Sequence, residues 1–258
     1  MPKDSALSVK PGVTLSVVSH GASQKVAMLL ESLRAHEPGR QFQIILTDNL
    51  GKELPDIEGN AGGSIEIIRN ERPQGFARNH NQAFKLARTD YFCILNPDVI
   101  FPDEVFDRLI STVEMSGADV VAPLIVDSGG SVQDSFRALP RPLDLVRRRL
   151  PGYHPSPIPP DAGGLVRPEW IAGTFMLLKN ETYGQISGFD EKYHLYFEDV
   201  DFCTRARLLG LRLLVDTRVQ IQHDAQRTSQ KSLRYLLWHL RSAIRFYSSG
   251  VYRRAIRM

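Results

Sequence analysis

"FCILNPDVIF", residues 92–101, is the stretch whose reading decides the fold. Phe92 to Leu95 is a continuous apolar run, as expected of a strand buried on both faces. It halts at Asn96-Pro97-Asp98, where proline fixes φ and removes a backbone donor, so the ladder cannot continue. The strand therefore runs through the core and delivers a carboxylate to its rim.

The segments before it repeat that plan. Val13 to Ser19 is a β-branched run closed by His20-Gly21, and residues 23–35 place Val26, Leu29, Leu30 and Leu33 at helical spacing behind Ser23, a candidate cap. Phe42 to Thr47 reads as a second strand ending at Asp48-Asn49, Ser64 to Arg69 as a third, and residues 77–88 as a helix. Strands alternating with helices predict an α/β domain with a mostly parallel sheet. In such sheets ligands bind beyond the carboxyl ends of the strands. Ser19-His20, Asp48-Asn49, Arg69-Asn70 and Asn96-Pro97-Asp98 would line that rim.

Further on, residues 103–116 look helical and Val120 to Ile125 looks like a strand. Residues 127–168, rich in Gly, Pro and Arg, read as a loop or lid. Trp170 to Leu178 reads as one strand, and a last one runs through LRLLVD towards His223-Asp224.

At 258 residues, with 42% hydrophobic and 24% charged residues, the chain has the make-up of a globular protein. It holds no apolar run long enough to span a bilayer and no secretory signal pattern at its start, so the cytoplasm is the expected compartment. Cys93 and Cys203 lie in apolar settings without metal-ligand spacing and read as reduced core residues. Net charge is only +3, yet residues 231–258 carry seven Lys/Arg and no acid.

A strand-end Asp is most often a turn residue. Two further clusters argue for more at Asp98. Glu198, Asp199 and Asp201 sit close together between Tyr196-Phe197 and Phe202, and His223 closes a later apolar strand. Carboxylates and an imidazole at the ends of buried elements suit a hard or borderline divalent cation. The plainer alternative for YFEDVDF is a helix N-terminus, where carboxylates meet the positive end of the dipole. The two readings are compatible. Asp201 and Arg205, four apart, read as a pair within that helix.

"LNPDV", "GTFMLLKNETYGQISGFDEKYHLYFEDVDFCTRARLLG" and "QHD" occur in the order and spacing of a known family. The chain resembles the inverting glycosyltransferases of family 2, with the GT-A fold, and in particular their rhamnosyltransferase-like branch, over residues 13–225. The resemblance implies that Asn96-Pro97-Asp98 stands for the family's DXD motif, with Asp98 coordinating Mg²⁺ or Mn²⁺ at the diphosphate of a UDP- or dTDP-sugar. It implies a further metal ligand in His223, base recognition by Asp48, and donor contacts from Ser19, His20, Asn81 and Asn96. Asp199 matches the catalytic base and Glu198 its companion. Trp170, Gly173 and Thr174 fall on the acceptor side, where the ring of Trp170 either stacks on a sugar or belongs to the core. The chain departs from the pattern at Ala83, where the family has Gly, and in the loop NLGKELPD.

This reading divides the chain into residues 1–226, with a nucleotide-sugar half at about 13–125 and an acceptor half at about 126–226, and a basic amphipathic C-terminal helix at 227–258. In that helix Leu233, Leu236, Leu237, Leu240, Ile244 and Tyr247 recur at helical spacing. Either they pack on the domain, leaving a solvated basic face, or the helix attaches peripherally to an anionic membrane surface on the inner side of the cytoplasmic membrane. The expected acceptor is a glycan or lipid-linked glycan of bacterial polysaccharide or lipopolysaccharide synthesis. Two alternatives stay open: another metal-dependent nucleotide enzyme such as a nucleotidyltransferase, and a non-catalytic nucleotide- or glycan-binding relative. No P-loop or GxGxxG is present. With basic residues clustered only at the tail and no recognition motif, no nucleic-acid partner is expected.

Overall fold

A computed structural model describes residues 12–51, 63–147, 158–224 and 233–258. The first half runs β1 (Val13–Ser19), α1 (Ser23–His36), β2 (Phe42–Asp48), β3 (Gly63–Arg69), α2 (Phe76–Phe84), β4 (Tyr91–Leu95), β5 (Val99–Ile100), α3 (Phe106–Ser116) and β6 (Val120–Val126). The second runs β7 (Phe136–Arg137), α4 (Pro142–Arg147), β8 (Leu165–Val166), β9 (Trp170–Ile171), β10 (Phe175–Lys179), α5 (Asn180–Ile186), α6 (Glu198–Leu208) and β11 (Leu213–His223). Helices α7 (Leu233–Ser248) and α8 (Gly250–Ala255) follow.

The main sheet has the order β3-β2-β1-β4-β10-β6-β11-β5, with β8 added on β11. Strands β1 to β4 are parallel, as their alternation with helices predicts, and β10 runs antiparallel between β4 and β6. Every residue of β1, β2 and β4 is buried. Phe92, Phe106, Phe175, Tyr183 and Phe202 are among the large side chains that fill the core on either side of the sheet. Register puts Ser19 opposite Asp48 and Asp48 opposite Arg69, so three of the polar strand ends share one rim.

Several local readings change. Ser23 makes no side-chain cap; the Ser19 hydroxyl instead accepts from Ala22 N at 3.1 Å, ahead of the helix. Helix α3 starts at Phe106 because buried Glu37 accepts from Val105 N and Phe106 N at 2.6 and 3.0 Å. The stretch 170–178 is two strands with a break at residues 172–174, and that break forms part of the site below. Within 127–168 the described residues carry β7, α4 and β8, with β7 laddered to β9; residues 148–157 of the expected lid lie outside the described residues. So do residues 1–11, most of the loop after Asp48, and residues 225–232 of the tail. Both cysteines are buried thiols.

The tail departs most from expectation. Its helix is split at Ser249, whose hydroxyl accepts from Tyr252 N and caps α8. Helix α7 meets the domain through Trp238, His239, Ser242, Ala243 and Phe246, and turns Leu233, Leu237, Leu240 and Ile244 outward. The packed face is aromatic and small, while the aliphatic stripe is exposed.

Candidate active site

Asp98 stands just past β4, where Pro97 has ended the strand. Its Oδ2 accepts from Lys25 Nζ at 2.8 Å and its Oδ1 from His223 Nε2 at 3.1 Å. Lys25 comes from the first turn of α1 and His223 from the last residue of β11, so three separated segments converge on one carboxylate. Burial alone would raise the Asp98 pKa. Hydrogen bonds and charge from His223 and Lys25 outweigh it and hold the carboxyl at about 2.

Lys25 was not legible in the sequence as a site residue, since a lone lysine on a helix face is ordinarily solvated. No group of three or more His, Cys, Asp or Glu side chains gathers among the described residues. The carboxylate and imidazole that meet here are Asp98 and His223. That donor set fits Mg²⁺ or Mn²⁺, which habitually complete their shells with phosphate oxygens and water. Lys25 would have to yield one Asp98 oxygen to it.

Next along the rim is a knot of amides. Asn49, buried, accepts at its Oδ1 from Asn70 Nδ2 (2.7 Å) and Gln74 N (2.8 Å), and its Nδ2 donates to Gln74 O at 2.9 Å. Asn70 also donates to buried Asn79, and His20 lies 3.2 Å from Asn49 Nδ2 through its Nδ1. This knot fixes the loops after β1, β2 and β3 beside buried Asp48, whose Oδ1 accepts from Leu50 N at 3.2 Å. Asn81 is not part of it. Its Oδ1 accepts from Tyr183 Oη and Phe189 N, and its Nδ2 donates to Phe189 O and Glu191. Asn81 thus clamps the 188–191 turn to α2, and Asn79, two residues earlier, is the one that reaches the rim. Consecutive asparagines of a helix look alike in sequence; only the rotation of α2 separates them.

The acidic cluster opens α6. Tyr196 and Phe197 both have positive φ (68° and 65°), a conformation that is costly for side-chain-bearing residues and that swings the chain into the helix. It is held from outside by α7: His239 rests against Tyr196 and Phe197, and Ser242 donates to Leu195 O at 2.9 Å. Glu198 is buried with its Oε2 lacking a hydrogen-bond partner among the described residues; burial and neighbouring Asp199 push its pKa well up.

Asp199 is half-buried. Enclosure of its carboxyl raises its pKa above the usual range, against the pull of N–H donors at Gly173 (3.2 Å) and Val200 (2.8 Å). The Trp170 indole N–H lies near enough to favour the ionised form, without the geometry of a formed hydrogen bond. Trp170 itself is buried and carries the Arg137 guanidinium 4.2 Å over its ring, so the ring is packed rather than offered for sugar stacking. Asp201 and Arg205 pair at 2.7 Å as their spacing predicts, and Arg205 also donates to Ile186 O and Gly188 O.

The two centres are joined by a short path. Asn96 N donates to Thr174 O at 2.9 Å, and Gly173 N donates to Asp199 at 3.2 Å. The break between β9 and β10 thus connects the loop carrying Asp98 to the carboxylate of Asp199.

The sequence model of Glycosyl transferase family 2 matches residues 14–201. Rhamnosyltransferase WbbL of Escherichia coli K12 is 29% identical over 247 residues, covering 91% of this chain and 92% of that protein. An N-acetylglucosaminyl-diphospho-decaprenol L-rhamnosyltransferase of Mycobacterium tuberculosis is 29% identical over 188 residues, covering 65% of this chain and 59% of that protein. Among solved structures, the mannosyltransferase PcManGT of Pyrobaculum calidifontis, in complex with GDP-Man and Mn²⁺, superposes with a TM-score of 0.63 at 15% identity, covering 97% of this chain and 66% of that one.

Proposed function

The chain belongs to glycosyl transferase family 2, and from that premise we propose that it moves a sugar from a nucleoside-diphosphate donor to a glycan hydroxyl with inversion. The likeness to rhamnosyltransferases favours a deoxyhexose such as rhamnose, carried by dTDP or UDP. It also favours a lipid-linked glycan acceptor in polysaccharide synthesis.

The observation that carries this reading is the short path from Asn96 through Thr174 and Gly173 to Asp199. This path ties the loop of Asp98, the carboxylate assigned to the diphosphate end, to Asp199, whose pKa is raised, and a two-substrate displacement needs the two ends held in register. Asp199 takes the proton of the acceptor hydroxyl. The freed oxygen bonds to the anomeric carbon on the face opposite the diphosphate, whose C–O bond breaks, and the nucleoside diphosphate departs. A raised pKa suits a general base working near neutrality. Glu198, its buried Oε2 without a hydrogen-bond partner among the described residues, holds the acceptor hydroxyl or Asp199 in place.

A divalent cation held by Asp98 and His223 would supply neutralising charge to the leaving diphosphate. Lys25 adds a positive charge at the same end. Asp48 and the knot around Asn49 offer amide and carboxyl groups to a base. Asn81, although it matches a donor-side position of the family, serves this reading only through the turn it clamps.

Calorimetric titration of UDP and dTDP with Mn²⁺, with Mg²⁺ and with EDTA tests the donor half. Binding should need the metal and vanish in Asp98→Ala. Asp199→Asn should bind donor normally and lose at least ~10²-fold in turnover. Full turnover in Asp199→Asn would remove the base assignment, and metal-independent binding would remove the role of Asp98.

A further inference from the structure

We propose that the outer face of α7 is a docking surface for an anionic lipid bilayer. Leu233, Leu237, Leu240 and Ile244 recur at intervals of four, three and four residues, which puts them in one stripe along the helix. They are 80%, 65%, 38% and 69% exposed. A contiguous aliphatic stripe on a surface is unusual enough to require an occupant. The stripe is not a failed core face. The opposite side of α7 is already packed, with Trp238 on His194, His239 on Phe197 and Phe246 on Phe197.

Charge selects the occupant. Arg234 and Arg241 are exposed on the same helix, and residues 233–258 hold six arginines and no Asp or Glu. Two copies meeting stripe to stripe would bring these arginines together with no carboxylate on either helix to pair them. A bilayer containing anionic lipid supplies phosphates at the rim and hydrocarbon at the stripe, the arrangement in which an amphipathic helix lies in the interface plane. No helix of the described residues is long and apolar enough to cross a membrane, so the contact is one of lying on the surface.

Docked in this way, α7 would separate the lipid from the 194–197 loop by about one helix diameter, ~10 Å. The residues before Glu198-Asp199 would then face an acceptor presented from the same membrane. The inference goes beyond the transfer chemistry, and it can fail while that chemistry stands.

The test is co-sedimentation of the full chain with vesicles of pure phosphatidylcholine, and of phosphatidylcholine with about one-third phosphatidylglycerol. The chain should partition at least ~10-fold better onto the anionic vesicles. Leu237→Gln with Leu240→Gln should remove that binding, and Arg234→Gln with Arg241→Gln should weaken it ~10-fold or more. All four sites are exposed, and Arg234 also lies 4.6 Å over the Trp238 ring, so thermal melting should be unchanged in the leucine pair and fall only slightly in the arginine pair, and nucleotide titration of both should match the parent. Absence of binding would overturn the proposal, as would binding indifferent to the leucine substitutions. A concentration-dependent dimer dissolved by those substitutions, without vesicle binding, would assign the stripe to a second copy. Loss of nucleotide binding in the parent chain would count against the transferase reading instead.

Discussion

Gly75 precedes α2, and the structure allows it no side chain. A Cβ there would lie 2.6 Å from His194 O and 2.9 Å from His194 Cα, both backbone atoms. Ordinary contact begins at 3.4 Å, so Gly75→Ala must drive the two segments about 0.8 Å apart. The same His194 oxygen accepts from Phe76 N at 3.0 Å, and that displacement stretches the bond to about 3.8 Å, beyond hydrogen-bonding reach. Overpacking costs about 1–3 kcal/mol and the lost bond about 1. The lower entropy of the unfolded alanine chain returns about 0.5–1, since the backbone at Gly75 (φ −71°, ψ 161°) suits alanine.

The net expectation is a loss of about 1–3.5 kcal/mol in urea unfolding. Turnover should fall as well, because His194 lies just ahead of the left-handed pair that launches Glu198 and Asp199. Gly184→Ala is the control. It sits within α5 with nothing near its would-be Cβ and should gain about 0.5–1 kcal/mol from helix propensity. If Gly75→Ala proved neutral or stabilising like the control, the close approach of α2 to the 194–197 loop would be refuted.

Other outcomes follow from the same contacts. The Asp98 carboxyl, lowered from 3.8 to about 2, stabilises the fold by about 2 kcal/mol above pH 4, somewhat less after solvent screening at Lys25. A depressed carboxyl loses that contribution as pH falls, so the stability gap to Asp98→Asn should close between about pH 4 and 2. A gap unchanged from pH 7 to pH 3 would contradict the pairing. Arg205→Met strands buried Asp201 and frees two carbonyls of the α5 turn, and should cost about 3–5 kcal/mol in thermal or urea unfolding. A cost below about 1 kcal/mol would show that Asp201 finds another partner.

What could be read ahead of the structure was what the chain writes locally. Strands β1, β2 and β4 are buried on both faces, so each appears as a run rich in apolar and β-branched residues whose polar terminus marks the rim. Asp201 and Arg205 were legible because helical spacing alone brings them together. Contacts made across the fold left no such trace. Lys25 reaches Asp98 only because α1 begins beside the end of β4. The amide knot gathers Asn49 and Asn70 from two loops and Asn79 from α2, none of which stands out from ordinary turn or helix chemistry. Trp170 to Leu178 hid its break because Ala172-Gly173-Thr174 is apolar and small enough to pass for strand. Helix α7 has two faces that could each be called apolar. Hydropathy favours the leucines, whereas the domain packs the rings of Trp238 and Phe246 beside small Ser242 and Ala243. Shape against a particular loop chose the face, and a residue scale carries no shape.

Strand β10 enters the sheet against the grain, with β4 on one side and β6 on the other. On the proposed division of the chain, β10 stitches the acceptor half into the ladder of the nucleotide half. On the proposed reading, the loop after β4 that carries Asp98 and the break before β10 that meets Asp199 hang from neighbouring strands of that ladder, so the spacing of the two reacting groups would be set by the sheet, and sugar preference by the segments above its rim.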